Sequence, residues 1–152
     1  MTALAICQTP FPALKDSDTV GDAARRMLEI AVWDLPVVDA AGRLIGMFKL
    51  THLLGALLPK AATIGGISDL AFVGDTLGYL RDRMRAVEDE PIRAYVAEAD
   101  HVVHPETSPM EVALLLYRGE RAVPVVDAGD HRLIGMVAAR EVVGALLAKG
   151  GR

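Results

Sequence analysis

LPVVDAAGRLIGMFKLTHLLGALL (residues 35–58) returns later in the chain as VPVVDAGDHRLIGMVAAREVVGALL (residues 123–147). Pro36 aligns with Pro124 at an offset of 88 residues, and Gly46 aligns with Gly135 at an offset of 89. The second copy therefore carries one extra residue in its turn. Because an internal repeat determines the architecture, the sequence predicts two copies of one small fold.

The sequence of each copy predicts a strand, a helix, two further strands and a second helix, in that order. Leu35 to Asp39 form a short β-branched run, and the turn at residues 40–42 leads into a returning strand, which indicates a hairpin. Thr19 and Ser108 are predicted to cap the first helix of their copies. The apolar positions of that helix in the first copy follow helical spacing on one face: Val20, Ala23, Ala24, Met27, Leu28 and Ala31. The matching face in the second copy is Pro109, Val112, Ala113, Leu116 and Tyr117.

The fold class that follows is α/β (α+β), with two β-α-β-β-α repeats packed around a pseudo-two-fold axis. The expected boundaries are residues 3–58 for the first repeat and 93–148 for the second. Residues 59–92 are expected to connect them, with a helix near 75–88. A repeat of roughly 55 residues has a core of only marginal stability by itself, so we expect the two copies to stabilise each other.

Composition argues against several classes of function. The formal net charge is −4 and the pI is about 5.5, so no overall positive field attracts nucleic acid or an anionic membrane. Cys7 is the only cysteine, which fits a reducing cytoplasm. No apolar run approaches the ~20 residues that span a bilayer. The chain contains no nucleotide-phosphate loop or nucleophile elbow, and we expect neither an enzyme nor a metal site.

The strand–helix–strand–strand–helix unit, with its Pro-Val-Val-Asp strand and an apolar strand leading to a second helix, resembles the cystathionine-β-synthase-type (CBS) domain. Two copies resemble the tandem pair in which these domains usually occur, and nearly the whole chain is covered. The resemblance implies a stand-alone CBS pair. It also implies an adenosyl ligand (AMP, ADP, ATP or S-adenosylmethionine) in a cleft between the repeats.

The ligand signature of this family runs Gly, two apolar residues, Ser or Thr, two further residues and Asp. The first copy has Lys49 at the hydroxyl position and His52 at the Asp position. The second copy has Ala138 at the hydroxyl position, but Glu141 retains a carboxylate. The resemblance therefore implies that Glu141 holds the ribose. Lys49 and the neighbouring Arg140 are candidates for phosphate contacts.

The strands with the prolines are the candidate adenine contacts. The family binds adenine through main chain beside these strands, which implies Val123, Pro124 and Val125 in the second cleft. The equivalents in the first cleft are Leu35, Pro36 and Val37, for which the interpretation as core strand is favoured over ligand contact. Lys49 and Glu141 also have a simpler interpretation, as solvated residues at helix starts.

Two functions follow from these residues. The first is a regulatory module that senses an adenosyl nucleotide and signals to a regulated protein that the sequence does not identify. The second is a protein-interaction scaffold whose nucleotide sites have degenerated. For either function we expect a homodimer, because apolar helix faces are extensive and two-fold symmetry is the commonest form of soluble homo-oligomer.

Overall fold

The computed structural model describes residues 1–60, 64 and 75–148. The predicted connector at 61–63 and 65–74 lies outside the described residues. The helices are α1 (Ala3–Ile6), α2 (Val20–Ile30), α3 (Leu50–Leu57), α4 (Thr76–Val87), a 3-10 helix (Ile92–Tyr95), α5 (Pro109–Tyr117) and α6 (Ala139–Leu147). The strands are β1 (Leu14–Lys15), β2 (Asp34–Val38), β3 (Leu44–Lys49), β4 (Ala122–Val126) and β5 (Leu133–Ala138).

Each repeat contains the predicted antiparallel hairpin. In the first repeat β2 pairs with β3, with Leu35 opposite Phe48, and β1 lies parallel to β2 on its other side. In the second repeat β4 pairs with β5 in the same register, with Val123 opposite Val137. Val103 forms a single parallel bridge to Val125, where the first repeat has β1. The mixed α/β class and the repeated architecture are confirmed.

Side-chain caps begin the first long helix of each repeat, as predicted. The hydroxyl of Thr19 accepts from the Asp22 N–H (3.2 Å), and the hydroxyl of Ser108 accepts from the Glu111 N–H (3.3 Å). The prolines at 10 and 12 predict an extended entry or an edge strand over residues 3–17. This prediction is wrong at its start, because Ala3–Ile6 form one helical turn. Four residues are too few to show a helical period in the sequence, and Pro10 lies beyond them.

The leading segment of each repeat packs in the core of the other repeat. We call residues 3–8 and 92–97 the lead segments; they are equivalent at an offset of 89. Ala3 and Ile6 are buried in the core of the second repeat, whereas Ile92 is buried in the core of the first. Each packed half therefore contains the lead segment of the other sequence repeat. The predicted domain boundaries at 3–58 and 93–148 stay a prediction.

Two matching bridges hold the lead segments in place. Gln8 pairs with Met136, through N–H to carbonyl distances of 2.8 and 3.3 Å. Ala97 pairs with Met47 in the same way, at 2.9 and 2.7 Å. In each repeat the residue before this bridge is a glycine, because the crossing lead segment leaves no room for a side chain. A Cβ atom on Gly135 would lie 2.5 Å from the Gln8 carbonyl oxygen.

The two hairpin turns meet each other at the pseudo-two-fold axis. The Leu44 N–H donates to the His131 carbonyl, and the Leu133 N–H donates to the Gly42 carbonyl, both at 3.0 Å. Asp39 and Asp127 close the two turns by accepting main-chain N–H groups. These hydrogen bonds lower the pKa of each carboxyl below its ordinary value of 3.8; the largest cause is the Arg43 N–H for Asp39 and the Gly129 N–H for Asp127.

The apolar helix faces are wider than the core that covers them. On the apolar faces of α2, α3, α5 and α6, the buried residues include Val20, Met27, Leu53 and Val112. Other members of the same faces are exposed in the single chain: Leu28, Leu54, Tyr117, Val143, Leu146 and Leu147. Helical periodicity gives the direction of a face but not the width that a neighbouring element covers.

Among the described residues no helix is long and apolar enough to cross a membrane.

Candidate functional site

Two neighbouring cavities lie at the junction of the repeats, where strands β2 and β4 begin. The larger, the Glu141 cleft, has a volume of about 730 Å³. Its lining comes from both repeats: Gln8, Phe11, Ala31, Val32, Trp33, Asp34, Glu120, Arg121, Ala122, Ala138, Ala139, Arg140 and Glu141. The smaller, the Lys49 cleft, has a volume of about 170 Å³. A volume near 730 Å³ is within the range of small-molecule sites in proteins, ~300–1,000 Å³.

Glu141 lies in the first turn of α6 and faces the larger cleft while capping the helix. Its Oε1 atom accepts a hydrogen bond from the Ala138 N–H at 2.9 Å. Ala138 has no side-chain oxygen to cap the helix in return, so the first N–H groups of α6 have no side-chain cap at this position. The Glu141 Oε2 atom makes no hydrogen bond to the part of the chain that the structure describes, and it is the oxygen available to a ligand.

Trp33 and Arg121 form a stacked pair in the wall of the Glu141 cleft. The guanidinium carbon of Arg121 lies 5.7 Å from the centre of the Trp33 ring, which is cation–π geometry. Trp33 is 64% exposed although it is the largest apolar side chain in the protein. Sequence reasoning missed this pair. The available signal was that the only tryptophan precedes a buried strand and is equivalent to Arg121 at the repeat offset of 88.

The Lys49 cleft is polar and carries both signs of charge. It is lined by Asp34, Met47, Lys49, Thr51, Ala99, Asp100, His101, Gly119, Glu120, Arg121, Ala122 and Pro124. His101 Nδ1 lies 2.9 Å from Glu120 Oε1. Lys49 has no carboxylate within 4.0 Å among the described residues. Within the described part of the chain, the cleft therefore presents an ammonium group without a carboxylate partner and a His–Glu pair.

The predicted site residues separate into three groups. Ala138, Arg140 and Glu141 come together in the larger cleft, and Lys49 and Pro124 line the smaller one. His52 is exposed on α3 and lines neither cleft. The remaining strand residues are buried and lie outside both linings: Leu35, Pro36, Val37, Val123 and Val125. Their contact with adenine stays a prediction, and the geometry agrees with the alternative that they are core.

Comparison with known protein families identifies the class. The CBS domain family matches twice, at residues 3–59 and 87–148. The chain therefore belongs to the CBS domain family, and its two matched regions form a tandem CBS pair. A search of curated proteins finds none that matches this chain.

Solved structures with a similar fold include CBS proteins. CBSX2 in complex with AMP is 26% identical to this chain with a TM-score of 0.70, and the match covers 96% of each chain. A second structure of CBSX2, a CBS-pair protein from Arabidopsis thaliana, is 26% identical with a TM-score of 0.73, covering 96% of this chain and 94% of the other. A CBS domain-containing protein from Kribbella flavida is 20% identical with a TM-score of 0.75, covering 97% and 99%.

Proposed function

We propose that this protein is a regulatory module that binds an adenosyl nucleotide in the Glu141 cleft and passes its bound state to a partner protein. AMP, ADP, ATP and S-adenosylmethionine are the candidate ligands. The observation that carries the proposal is the 730 Å³ cleft between the repeats, which combines an exposed indole, a half-buried carboxylate and two arginines. The crystallised AMP complex of CBSX2, at 26% identity, supports an adenosine ligand.

The side chains of this cleft match the three parts of a nucleotide. The Trp33 ring offers a flat apolar surface on which a purine can stack. Glu141 Oε2 can accept hydrogen bonds from ribose hydroxyls. Arg121 and Arg140 have no carboxylate within 4.0 Å among the described residues, so both can pair with phosphate.

Binding in this cleft can change the arrangement of the repeats because both repeats form its walls. Gln8 of the first lead segment lines the cleft and is also bridged to Met136 of the second repeat. A ligand at ~100 times its dissociation constant favours the arrangement that binds it by about 2.7 kcal/mol, if it binds no other. A partner that contacts both repeats would respond to that shift.

Thermal unfolding with and without nucleotide tests the proposal. Saturating ligand should raise the midpoint of unfolding by on the order of 5–10 °C, from 2.7 kcal/mol in a protein of this size. Glu141→Gln keeps an oxygen for the helix cap but removes the charge, and it should weaken binding about tenfold. Glu111→Gln is the matched control, because Glu111 has the same place at the start of α5 but lines neither cleft.

A regulatory CBS pair of this kind is also expected to form a homodimer. Exposed apolar side chains on α5 and α6 lie on helix faces that the single chain leaves uncovered, including Met110, Tyr117, Leu146 and Leu147. Burial of such a face in a two-fold interface would remove it from water. Sedimentation at micromolar concentration should give the mass of two chains, and a monomer there would contradict the expectation.

A ligand-free interaction scaffold is the second candidate function. The loss of the signature residues at Lys49, His52 and Ala138 favours it. If none of the four nucleotides changes the unfolding temperature of a demonstrably folded protein, the scaffold becomes the better account.

A further inference from the structure

We propose that the Glu141 cleft and the Lys49 cleft form one composite site for a single nucleotide with an extended phosphate chain. The nucleoside lies in the Glu141 cleft, and the terminal phosphates extend past Arg121 to Lys49. This inference rests on the proposed function. It adds the orientation of the nucleotide, a stoichiometry of one nucleotide per chain, and an affinity that rises with the number of phosphates.

The first argument is that the two cavities share a wall. Four residues line both of them: Asp34, Glu120, Arg121 and Ala122. The clefts are therefore adjacent and separated only by side chains at the starts of β2 and β4. Arg121 is the cation of that wall. Its guanidinium lies over Trp33, and no carboxylate is within 4.0 Å of it among the described residues. A ligand in the larger cleft thus reaches the smaller cleft along a side chain that attracts phosphate.

The second argument is that the two degenerate repeats are complementary. Lys49 and Ala138 hold equivalent positions, as do His52 and Glu141, at the offset of 89. In the strand register of the first hairpin Lys49 lies opposite Asp34, as Ala138 lies opposite Ala122 in the second. The second repeat thus has a carboxylate for ribose but no side-chain donor at the phosphate position. The first repeat has the cation but lacks the carboxylate.

The third argument is size and charge. At about 170 Å³ the Lys49 cleft is too small for a nucleoside, since sites for such ligands occupy ~300 Å³ or more. Phosphate groups need less space, and Lys49 and Arg121 supply two cations without carboxylate partners within 4.0 Å in the described part of the chain. Asp34, Asp100 and Glu120 also line this cleft, so their negative charge limits the gain from each added phosphate.

Calorimetric titration with a ladder of ligands tests the composite site. Adenosine, AMP, ADP and ATP are titrated without divalent cations, which would otherwise mask the phosphate charge. One equivalent should bind per chain, with affinity rising along the ladder. Lys49→Ala should weaken ATP about tenfold and change adenosine less than twofold, because it removes only a charged phosphate contact. Lys15→Ala, at the exposed residue of β1, should leave the whole ladder unchanged.

The outcomes separate the composite site from the proposed function. Two equivalents per chain, an affinity that does not rise with phosphate number, or an equal loss for adenosine and ATP in Lys49→Ala would each overturn the composite site and leave nucleotide binding intact. Failure of every adenosyl ligand to bind the wild-type protein would overturn both. Lys49→Gln, with the unfolding temperature measured beside it, repeats the test with a side chain that is polar and uncharged and that is truncated far less than in Lys49→Ala.

Discussion

Gly135→Ala should destabilise the protein, because the lead segment of the first repeat crosses β5 at this residue. The new Cβ atom would lie 2.5 Å from the Gln8 carbonyl oxygen, 2.7 Å from Thr9 Cγ2 and 3.0 Å from Cys7 Sγ. A carbon atom cannot approach these atoms so closely. The lead segment must therefore move away from β5, or the strand must bend.

The expected magnitude follows from what that movement disrupts. Inserting a methyl group into a packed site costs about 1–3 kcal/mol. The bridge between Gln8 and Met136 contains two main-chain hydrogen bonds, each worth ~0.5–1.5 kcal/mol net. The cost of the inserted methyl group and the partial loss of these two hydrogen bonds together lower the free energy of unfolding by about 2–4 kcal/mol.

Urea denaturation followed by circular dichroism at one protein concentration measures the change. Gly144→Ala is the matched control, since this glycine lies in α6 with open space around its Cα and should gain ~0.5–1 kcal/mol from helix propensity. Equal stabilities for the two variants would refute the crossing of the lead segment. Gly46→Ala should repeat the loss in the first repeat, where the Ala97 carbonyl occupies the same place.

The hairpin turns and helix caps give two further predictions. Asp127→Asn should lower the free energy of unfolding at pH 7. The pKa of Asp127 is depressed in the folded state, so its contribution is complete above the ordinary value of 3.8 and disappears as pH falls through the lower folded value. Urea titrations from pH 7 to 2 should therefore converge for variant and wild type at the acid end, and a constant difference would contradict this role. Ser108→Ala should cost about 1 kcal/mol by leaving the Glu111 N–H without its cap, measured by the same denaturation; an unchanged midpoint would contradict the cap.

The repeat was sufficient to predict the fold class because its signals are local. Strand and turn residues such as Val37 and Gly42 are close together in the chain. The caps at Thr19 and Ser108 bind an N–H group three residues later. These local features recur at an offset of 88 or 89 residues, so agreement between the copies strengthens each prediction. The repeat therefore predicts the hairpins, the helix starts and the pairing of two similar halves.

The exchange of lead segments could not be predicted from the sequence, because its contacts join residues that are far apart in the chain. Nothing near Gln8 indicates that it pairs with Met136, more than a hundred positions later. The candidate site shows the same limit. Glu141 and Arg140 follow from one helix start, whereas the stacking of Arg121 on Trp33 exists only once the two repeats have packed. Exposure of Tyr117 and Leu147 likewise depends on which neighbours cover a helix.

Fluorescence of Trp33 during titration with AMP tests the central claim most directly, since this is the only tryptophan and it lines the cleft between the repeats. Stacking of adenine on the ring should change its emission to a saturating end point at one equivalent. Glu141→Gln should shift the midpoint about tenfold to higher AMP, with Glu111→Gln unchanged. Calorimetric binding of AMP with no change in Trp33 emission would mean that the nucleotide lies elsewhere, and would contradict a site between the repeats.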